Sequence, residues 1–294
     1  MITDQQKEAI RARLDAYVKR YPSQNKAVNS LKGTSTGTVS SILNRKWDLI
    51  SDDMWLRLDS QLNGVGTGWQ LFDTAAFTSL MLYLEDAREE SGVAWITGPA
   101  GIGKSTAAAV FAERNRNVYL LTCAEDMHKS DFIRELAAKI GVRSTGLTIR
   151  ETLQAIIKEL VRQDRPLLIF DEGDKLTDSV LYYYVSLYNA LEDKCGMVFL
   201  STNYMTQRMT RGVERGKKGY DELESRICRR FVPLDLVSSE EVESICLVNG
   251  LSDRSAIRTV KAEAHECGND LRRVRKSVHK ELRKIAVQSA SANR

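Results

Sequence analysis

The sequence predicts an α/β fold with a parallel five-stranded sheet and a C-terminal helical lid, preceded by a small all-α domain. Three observations lead to this prediction. Short, unbroken apolar runs alternate with longer helical patterns through the middle of the chain, which is typical of a parallel sheet covered on both faces. A glycine-rich phosphate-binding pattern follows the first of these runs. The strand signal stops near Ser238, and helical patterns alone follow it.

Each predicted strand is short and rich in β-forming residues. The strands are 93–97, 118–121, 167–170, 197–200 and 231–234. Pro233 places the last one at a sheet edge or a strand end, because proline cannot donate to the hydrogen-bond ladder. Helix spacing covers residues 104–114, 131–140, 149–163 and 177–193. The acids that follow Ser238 open the first lid helix, where the helix dipole favours negative charge.

Composition divides the chain into a helical domain (residues 1–66), an α/β core (67–236) and a helical lid (237–294). Three glycines within residues 64–68 indicate a flexible link between the first two parts. The 294 residues are 43% hydrophobic and 28% charged, an ordinary globular balance that excludes a disordered chain or a coiled-coil rod.

The N-terminus has no signal-peptide pattern, and no apolar run approaches the roughly 20 residues that span a bilayer. We therefore expect a soluble cytoplasmic protein that makes no membrane contact. The five cysteines are scattered and contain no C-x-x-C pair, which argues against a disulfide framework or a zinc site.

The net charge of +4 hides an uneven distribution. Basic charge collects in residues 1–66 (+3), 205–230 (+4) and 254–294 (+7). Patches of this kind attract phosphate backbones, although a solvated surface is the plain alternative.

The strongest motif is Gly-Pro-Ala-Gly-Ile-Gly-Lys-Ser at residues 98–105, directly after a predicted strand and opening a predicted helix. It matches G-x-x-x-x-G-K-[ST], in which backbone N–H groups and the helix N-terminus surround phosphates. Lys104 is expected to reach the β- and γ-phosphates and Ser105 to hold Mg²⁺. The predicted nucleotide ligands are Gly98, Pro99, Ala100, Gly101, Ile102, Gly103, Lys104, Ser105 and Thr106.

Two further strands end in polar residues. The run 167–170 ends in Asp171 and Glu172, so Asp171 is predicted to face Mg²⁺ and Glu172 to orient and deprotonate a water. An exposed acidic turn is the alternative. The run 197–200 is followed by Thr202 and Asn203. Asn203 is our first choice for a residue that holds the γ-phosphate or the attacking water, and Thr202 is the second.

Residues 23–62 are typical of short helices joined by tight turns. Gly33 separates one helix, beginning at 23–28, from the next at 36–44. Small polar and basic residues on the second helix suit a helix-turn-helix that enters a DNA groove, with a protein-interaction domain as the alternative. The candidate DNA contacts here are Thr36, Thr38, Ser40, Ser41, Asn44, Arg45 and Lys46.

Together, the phosphate loop, the acidic strand end, the polar strand tip and the helical lid resemble an AAA+ ATPase. The resemblance implies an arginine finger before the last strand that reaches a neighbouring subunit's nucleotide. Arg226 is the favoured residue, and Arg229 and Arg230 are alternatives. The other interpretation of Arg226 is a surface salt bridge with no role in catalysis. It also implies a lid arginine that senses the nucleotide, which is Arg272 or, second, Arg273.

The order of modules over roughly residues 20–285 is similar to that of AAA+ transposition regulators. This implies a DNA-stimulated ATPase that binds ATP and Mg²⁺, assembles as a homo-oligomeric filament on double-stranded DNA and delivers that DNA to a transposase in the bacterial nucleoid. Gly173 and Ser201–Thr202 depart from the usual pattern. Further DNA candidates are Lys129, Arg208, Arg211, Arg215, Lys217 and Lys218.

Two other functions stay open. A helicase loader would share the ATPase core but needs a segment that docks on a helicase. A helix-turn-helix transcription regulator would only sense ATP, and Glu172 and Arg226 argue against it because sensing requires neither a base nor a finger. Adenine over guanine rests on the resemblance alone.

Overall fold

The computed structural model forms two compact units, one of residues 1–72, 242–262 and 275–294, and one of residues 73–241 and 263–274. The residues that it describes are 4–19, 23–29, 31, 33–48, 50–52, 54–55, 58–59, 62, 69–226 and 231–292. The predicted glycine link at 64–68 lies outside these residues.

The second unit is built on a five-stranded parallel sheet in the order β2-β3-β4-β1-β5. Its strands are β1 (Val93–Thr97), β2 (Val118–Thr122), β3 (Leu167–Asp171), β4 (Gly196–Ser201) and β5 (Phe231–Pro233). All pairs are parallel, so the carboxyl ends of the strands lie at one edge. In open α/β sheets, ligands bind at this edge, where the strand order reverses.

Helices alternate with the strands as the sequence predicts. One helix, α4 (Ala75–Glu89), precedes β1. Those between β1 and β5 are α5 (Lys104–Arg114), α6 (Lys129–Ile140), α7 (Ile149–Leu160), α8 (Asp178–Leu191), α9 (Tyr204–Glu214) and α10 (Tyr220–Arg226). A 3-10 turn covers Gly173–Lys175. The C-terminal helices are α11 (Ser239–Val248), α12 (Arg254–Glu266) and α13 (Leu271–Ala292).

The central strands form because their side chains are buried on both faces. Every residue of β3 and β4 is buried, which explains their unbroken apolar sequence. Trp95 of β1 stacks on Phe199 of β4 with ring centroids 4.4 Å apart, and Phe199 in turn stacks on Phe170 of β3. This aromatic row holds the middle of the sheet.

The N-terminal helices are α1 (Asp4–Val18), α2 (Gln24–Asn29) and α3 (Thr36–Leu43). They share an apolar core to which Leu14, Ile42 and Trp55 contribute fully buried side chains. Ser35 caps α3 by accepting a hydrogen bond from the Thr38 backbone N–H at 3.1 Å. This region therefore has an apolar core built from its own residues.

The structure confirms the predicted five-stranded parallel sheet. Pro233 lies at the last position of an edge strand, which is where a residue without an N–H is tolerated. No helix among the described residues is long and apolar enough to cross a membrane.

A close approach between α4 and the sheet requires glycine at Gly196. A Cβ atom there would overlap the backbone carbonyl of Ala87 and lie 2.8 Å from Leu167 Cδ1. We expect Gly196→Ala to lower the free energy of unfolding by about 1–3 kcal/mol, the range for overpacked sites. Gly92→Ala is the control, since its Cβ would meet only ordinary contacts, the nearest at 3.8 Å. Urea unfolding measures both, and equal stability of the two variants would contradict the prediction.

Candidate nucleotide-binding site

A polar cavity lies at the carboxyl edge of the sheet, within the second unit. It brings together the phosphate loop, the ends of β3 and β4 and the start of α13. Its lining residues are Ala100, Gly101, Lys104, Ser105, Asp171, Glu172, Asp174, Ser201, Thr202 and Arg272. Four separate sequence predictions therefore meet in one place.

The phosphate loop takes its shape from two glycines in the left-handed region, Gly101 with φ +82° and Gly103 with φ +102°. The carbonyl of Gly101 accepts a hydrogen bond from the Leu271 N–H at 2.9 Å, which joins the loop to the start of α13. Lys104 Nζ donates to the carbonyls of Gly98 and Pro99 at 2.6 and 2.9 Å. Burial lowers the pKa of Lys104, against the attraction of nearby carboxylates.

Asp171 is the most buried ionisable group of the cavity, with 3% of its surface exposed. Burial raises its pKa, while hydrogen bonds from the Ser105 hydroxyl and the Glu172 N–H, the latter at 3.0 Å, favour the charged form. The contact with Ser105 joins β3 to the first turn of α5. Two hard oxygen donors thus stand side by side.

This pair fits Mg²⁺, which usually takes one or two protein oxygens and completes its shell with phosphates and water. Within the described ranges, no group of three or more His, Cys, Asp or Glu side chains could hold a metal ion. The remaining ligands of such an ion would be phosphate oxygens and water.

Glu172 lies at the mouth of the cavity in a left-handed backbone conformation, with φ +57°. Its carboxylate pairs with Lys175 Nζ at 2.5 Å, and both side chains are partly exposed. An exposed pair of this kind is weak and easily exchanged.

At the tip of β4, the structure brings Thr202 rather than Asn203 to the cavity. Thr202 Oγ1 donates to Asp174 at 2.5 Å, and both residues line the cavity. Asn203 is exposed, because it already has helical backbone angles as the cap of α9. Sequence reasoning missed Asp174, although its place three residues after Asp171 was a usable signal.

Of the two lid arginines, Arg272 lines the cavity. It lies in the first turn of α13, where its backbone N–H donates to Asp270 at 2.7 Å. Arg273 is exposed and is not among the lining residues.

Arg226, the predicted finger, is not part of this cavity. It ends α10, donates to Asn189 at 3.1 Å, pairs with Glu222 at 3.2 Å and lies 5.9 Å from the ring of Tyr188. The alternatives Arg229 and Arg230 lie outside the described residues.

The candidate DNA contacts near α9 differ in their surroundings. Arg211, Arg215 and Lys218 are exposed, as is Lys129, whose Nζ lies 5.6 Å from the Tyr183 ring. Arg208 differs from the prediction, since its side chain is only 16% exposed and pairs with Asp178 at 2.5 Å. Its guanidinium donates hydrogen bonds to acceptors within the protein. Lys217 also pairs with Asp178 but stays 54% exposed. We call residues 211–218 the basic segment.

On the N-terminal unit, the candidate contacts follow α3 and the turn after it. Thr36, Asn44, Arg45 and Lys46 are exposed, whereas Thr38, Ser40 and Ser41 are half-buried. Arg45 pairs with Glu8 at 2.8 Å, and hydrogen bonds from Arg45 and Arg11 lower the pKa of Glu8 to about 2. An anion at Arg45 would compete with this carboxylate.

Residues 87–209 match the family described as AAA domain. The chain is 24% identical over 257 residues to the Mu-like prophage FluMu DNA transposition protein B of Haemophilus influenzae, a match that covers 82% of this chain and 85% of that protein. It is also 24% identical over 231 residues to the ATP-dependent target DNA activator B of Escherichia phage Mu, with 75% and 72% covered.

Among solved structures, the chain is similar to the Aeropyrum pernix ORC1 protein in complex with DNA. The TM-score is 0.52 at 16% identity, over 74% of this chain and 66% of that one. This likeness concerns the fold. The chain therefore has the AAA+ fold predicted from its sequence, and it resembles the phage Mu B transposition protein.

The cavity predicts which strand-tip residue acts on the nucleotide. Thr202→Val removes the hydroxyl that donates to Asp174 and keeps the shape of the side chain. We expect it to lower the rate of nucleotide hydrolysis by about ten-fold or more, since loss of one positioned hydrogen-bond donor in an active site can cost roughly 10²–10³ in rate. Asn203→Ala is the control and should stay within about two-fold. Steady-state phosphate release measures both, and a larger loss of rate in the Asn203 variant would contradict the assignment.

Proposed function

We propose that this chain is an ATP-dependent DNA-binding ATPase that presents target DNA to a transposase. The observation that carries the proposal is the cavity itself, which combines a phosphate loop, a buried acid, a second acid beside it and a lid arginine. The names of the relatives, a DNA transposition protein and a target DNA activator, support the DNA and transposase parts.

In this proposal the triphosphate lies along the loop, with the N-terminus of α5 directed at its oxygens. Lys104 exchanges its two carbonyl acceptors for phosphate oxygens, which suits an ammonium group that is already partly desolvated. Ser105 and Asp171 would hold Mg²⁺, which supplies charge neutralisation to the phosphates when bound.

Glu172 acts as the base that orients and deprotonates the attacking water. Its partner Lys175 is released easily, because both side chains are partly exposed. Thr202 and Arg272 contact the γ-phosphate or the water from β4 and from the lid. ATP rather than GTP is proposed on the strength of the relatives' names.

Arg226 is proposed to act on the nucleotide of a neighbouring subunit in a homo-oligomer. Its position outside its own cavity supports this role, because a finger that acts in trans must face away from the nucleotide of its own chain. A cation supplied in trans stabilises the charge that develops on the phosphoryl oxygens and ties hydrolysis to assembly.

The DNA is proposed to be double-stranded and bound with little sequence preference, in a filament in the bacterial cytoplasm at the nucleoid. Two basic surfaces support this proposal. One is the region around α3, which we propose to be a helix-turn-helix, and the other is the basic segment 211–218. Hydrolysis, stimulated by the DNA and the transposase, would dismantle the filament.

The test is ATP hydrolysis and sedimentation of the full chain, each with and without random-sequence duplex DNA. We expect large ATP-dependent assemblies on DNA. Lys104→Ala should remove both assembly and turnover. Arg226→Ala should retain ATP binding and reduce turnover by about a hundred-fold or more, since arginine fingers contribute roughly 10³–10⁵.

Arg116→Ala is the matched control, because Arg116 is an exposed arginine in the turn before β2. If the chain sediments as small particles with or without random-sequence DNA and shows negligible ATP hydrolysis, the proposal is overturned in favour of an ATP-sensing transcription regulator. ATP turnover stimulated by a helicase and not by DNA would favour a helicase loader.

The basic segment gives a separate prediction. Replacing Arg211, Arg215 and Lys218 by Gln should weaken binding to random duplex DNA. The slope of log K against log salt should fall by about 0.9 for each DNA phosphate that the variant no longer neutralises. Lys217 is left unchanged because replacing it would also remove a partner of Asp178. Fluorescence anisotropy at several salt concentrations measures the slope, and an unchanged slope would show that this surface does not touch the DNA backbone.

A further inference from the structure

Arg208 is the less exposed of the two arginines on α9, with 16% of its side chain exposed. Its Nε donates to the Tyr220 hydroxyl at 3.2 Å, and its Nη1 to the carbonyls of Asp174 and Leu176 at 3.2 and 2.7 Å. Its Nη2 donates to the Asp178 carboxylate at 2.5 Å. A guanidinium has five N–H groups, so these four hydrogen bonds leave little for any outside anion.

On the cavity side, Arg208 holds the backbone of a residue that lines the nucleotide site. The Asp174 carbonyl accepts from Arg208, while the Asp174 carboxylate accepts from Thr202 at 2.5 Å. Thr202 lies just before α9 and Arg208 lies within it. The same stretch of chain therefore contacts Asp174 at both its backbone and its side chain, which links the position of Asp174 to that of α9.

On the other side, Arg208 shares its partners with the basic segment. Asp178 accepts from Arg208 and from the Tyr220 hydroxyl at 2.7 Å, and it also pairs with Lys217. Burial opposes the charge of Asp178, yet hydrogen bonds from Lys217, Arg208 and Tyr220 lower its pKa to about 2. The carboxylate is therefore charged at neutral pH, and it joins the guanidinium to the segment.

Packing fixes the same segment at two further points. Gly212 lies so close to the Tyr220 ring that a Cβ atom there would overlap it. The Tyr182 hydroxyl donates to the carbonyl of Lys218. The backbone that carries the exposed bases therefore follows Tyr220 and α8 rather than moving independently of them.

We propose that Arg208 is a positioning residue that joins Asp174 at the nucleotide cavity to the basic segment, and that it makes the DNA affinity of this segment depend on the bound nucleotide. The inference rests on the proposed function, because it assumes that the segment binds DNA. Coupling between two sites requires a structural element whose position both sites influence. Here that element is α9 with the residues that follow it, which the nucleotide cavity and the basic segment share.

Arg208→Lys tests this role while it conserves the charge. A single ammonium group cannot reproduce the planar fork that reaches acceptors on three elements. Arg211→Lys is the matched control, since Arg211 lies three residues along the same helix and is exposed. Tyr220→Phe removes one of the four partners and provides a milder variant if the lysine variant folds poorly.

The measurement is the dissociation constant of the full chain for a fluorescein-labelled random duplex, with ATP and with ADP. We expect the ratio of the DNA dissociation constant with ADP to that with ATP to fall by about five-fold or more in Arg208→Lys, which is within the usual range of coupling between two sites. In Tyr220→Phe this ratio should fall by less. Affinity for a fluorescent ATP analogue should stay within about two-fold, which a merely structural role would not predict. Arg211→Lys should keep the wild-type ratio.

Full retention of the ratio in both Arg208→Lys and Tyr220→Phe would overturn the inference. So would an Arg208→Met variant that keeps the ratio while its salt slope falls by about 0.9, because Arg208 would then bind a DNA phosphate directly. A different result would be that the wild-type chain binds DNA equally with ATP and ADP, or does not bind DNA at all. The proposed function would then fail, and the inference would fail with it. This outcome is distinct from a failure of the inference alone, in which the variants keep the wild-type ratio.

Discussion

The buried carboxylate of Asp171 is the constraint on which the rest of the site depends. A charge at the end of a fully buried central strand is costly unless donors surround it. Its donors come from two places, the Ser105 hydroxyl at the start of α5 and the Glu172 N–H in the turn after β3. The phosphate loop and the acidic turn therefore have to meet at one point of the sheet edge, and the cavity forms between them.

The same constraint acts on the opposite charge. Burial raises the pKa of Asp171 and lowers that of Lys104, so each group is held where its charged form is disfavoured. Lys104 meets this by donating to two loop carbonyls. A magnesium nucleotide would add a further counter-charge to both groups at once. Because such a ligand binds the folded state alone, it should also stabilise the chain as a whole.

Local sequence patterns were sufficient for the sheet and for the centre of the site. Short, unbroken apolar runs are typical of buried parallel strands, and a motif of eight residues fixes its own loop geometry. The roles of Thr202 and Asn203 were harder to separate, because they depend on where the β4 backbone changes into helix. In the structure, Thr202 precedes this change and Asn203 already has helical angles. A difference of one position moves a side chain from the cavity to solvent.

Arg208 could not be identified from the sequence, because its partners Asp178 and Tyr220 come from other helices. Nothing in the local pattern distinguishes it from Arg211.

Burial is what separates the basic residues into those that can bind a phosphate and those that cannot. Arg45 and Lys217 each pair with a carboxylate but remain more than half exposed, so water already weakens the pair and a DNA phosphate can replace it at little cost. If Arg208 turned outward, the carbonyls of Asp174 and Leu176 would lose its hydrogen bonds and the half-buried Asp178 carboxylate would lose one of its three partners, which costs stability. Charge along the sequence therefore indicates where a polyanion is attracted, whereas the pairing of each base in the fold decides which of them can contact it.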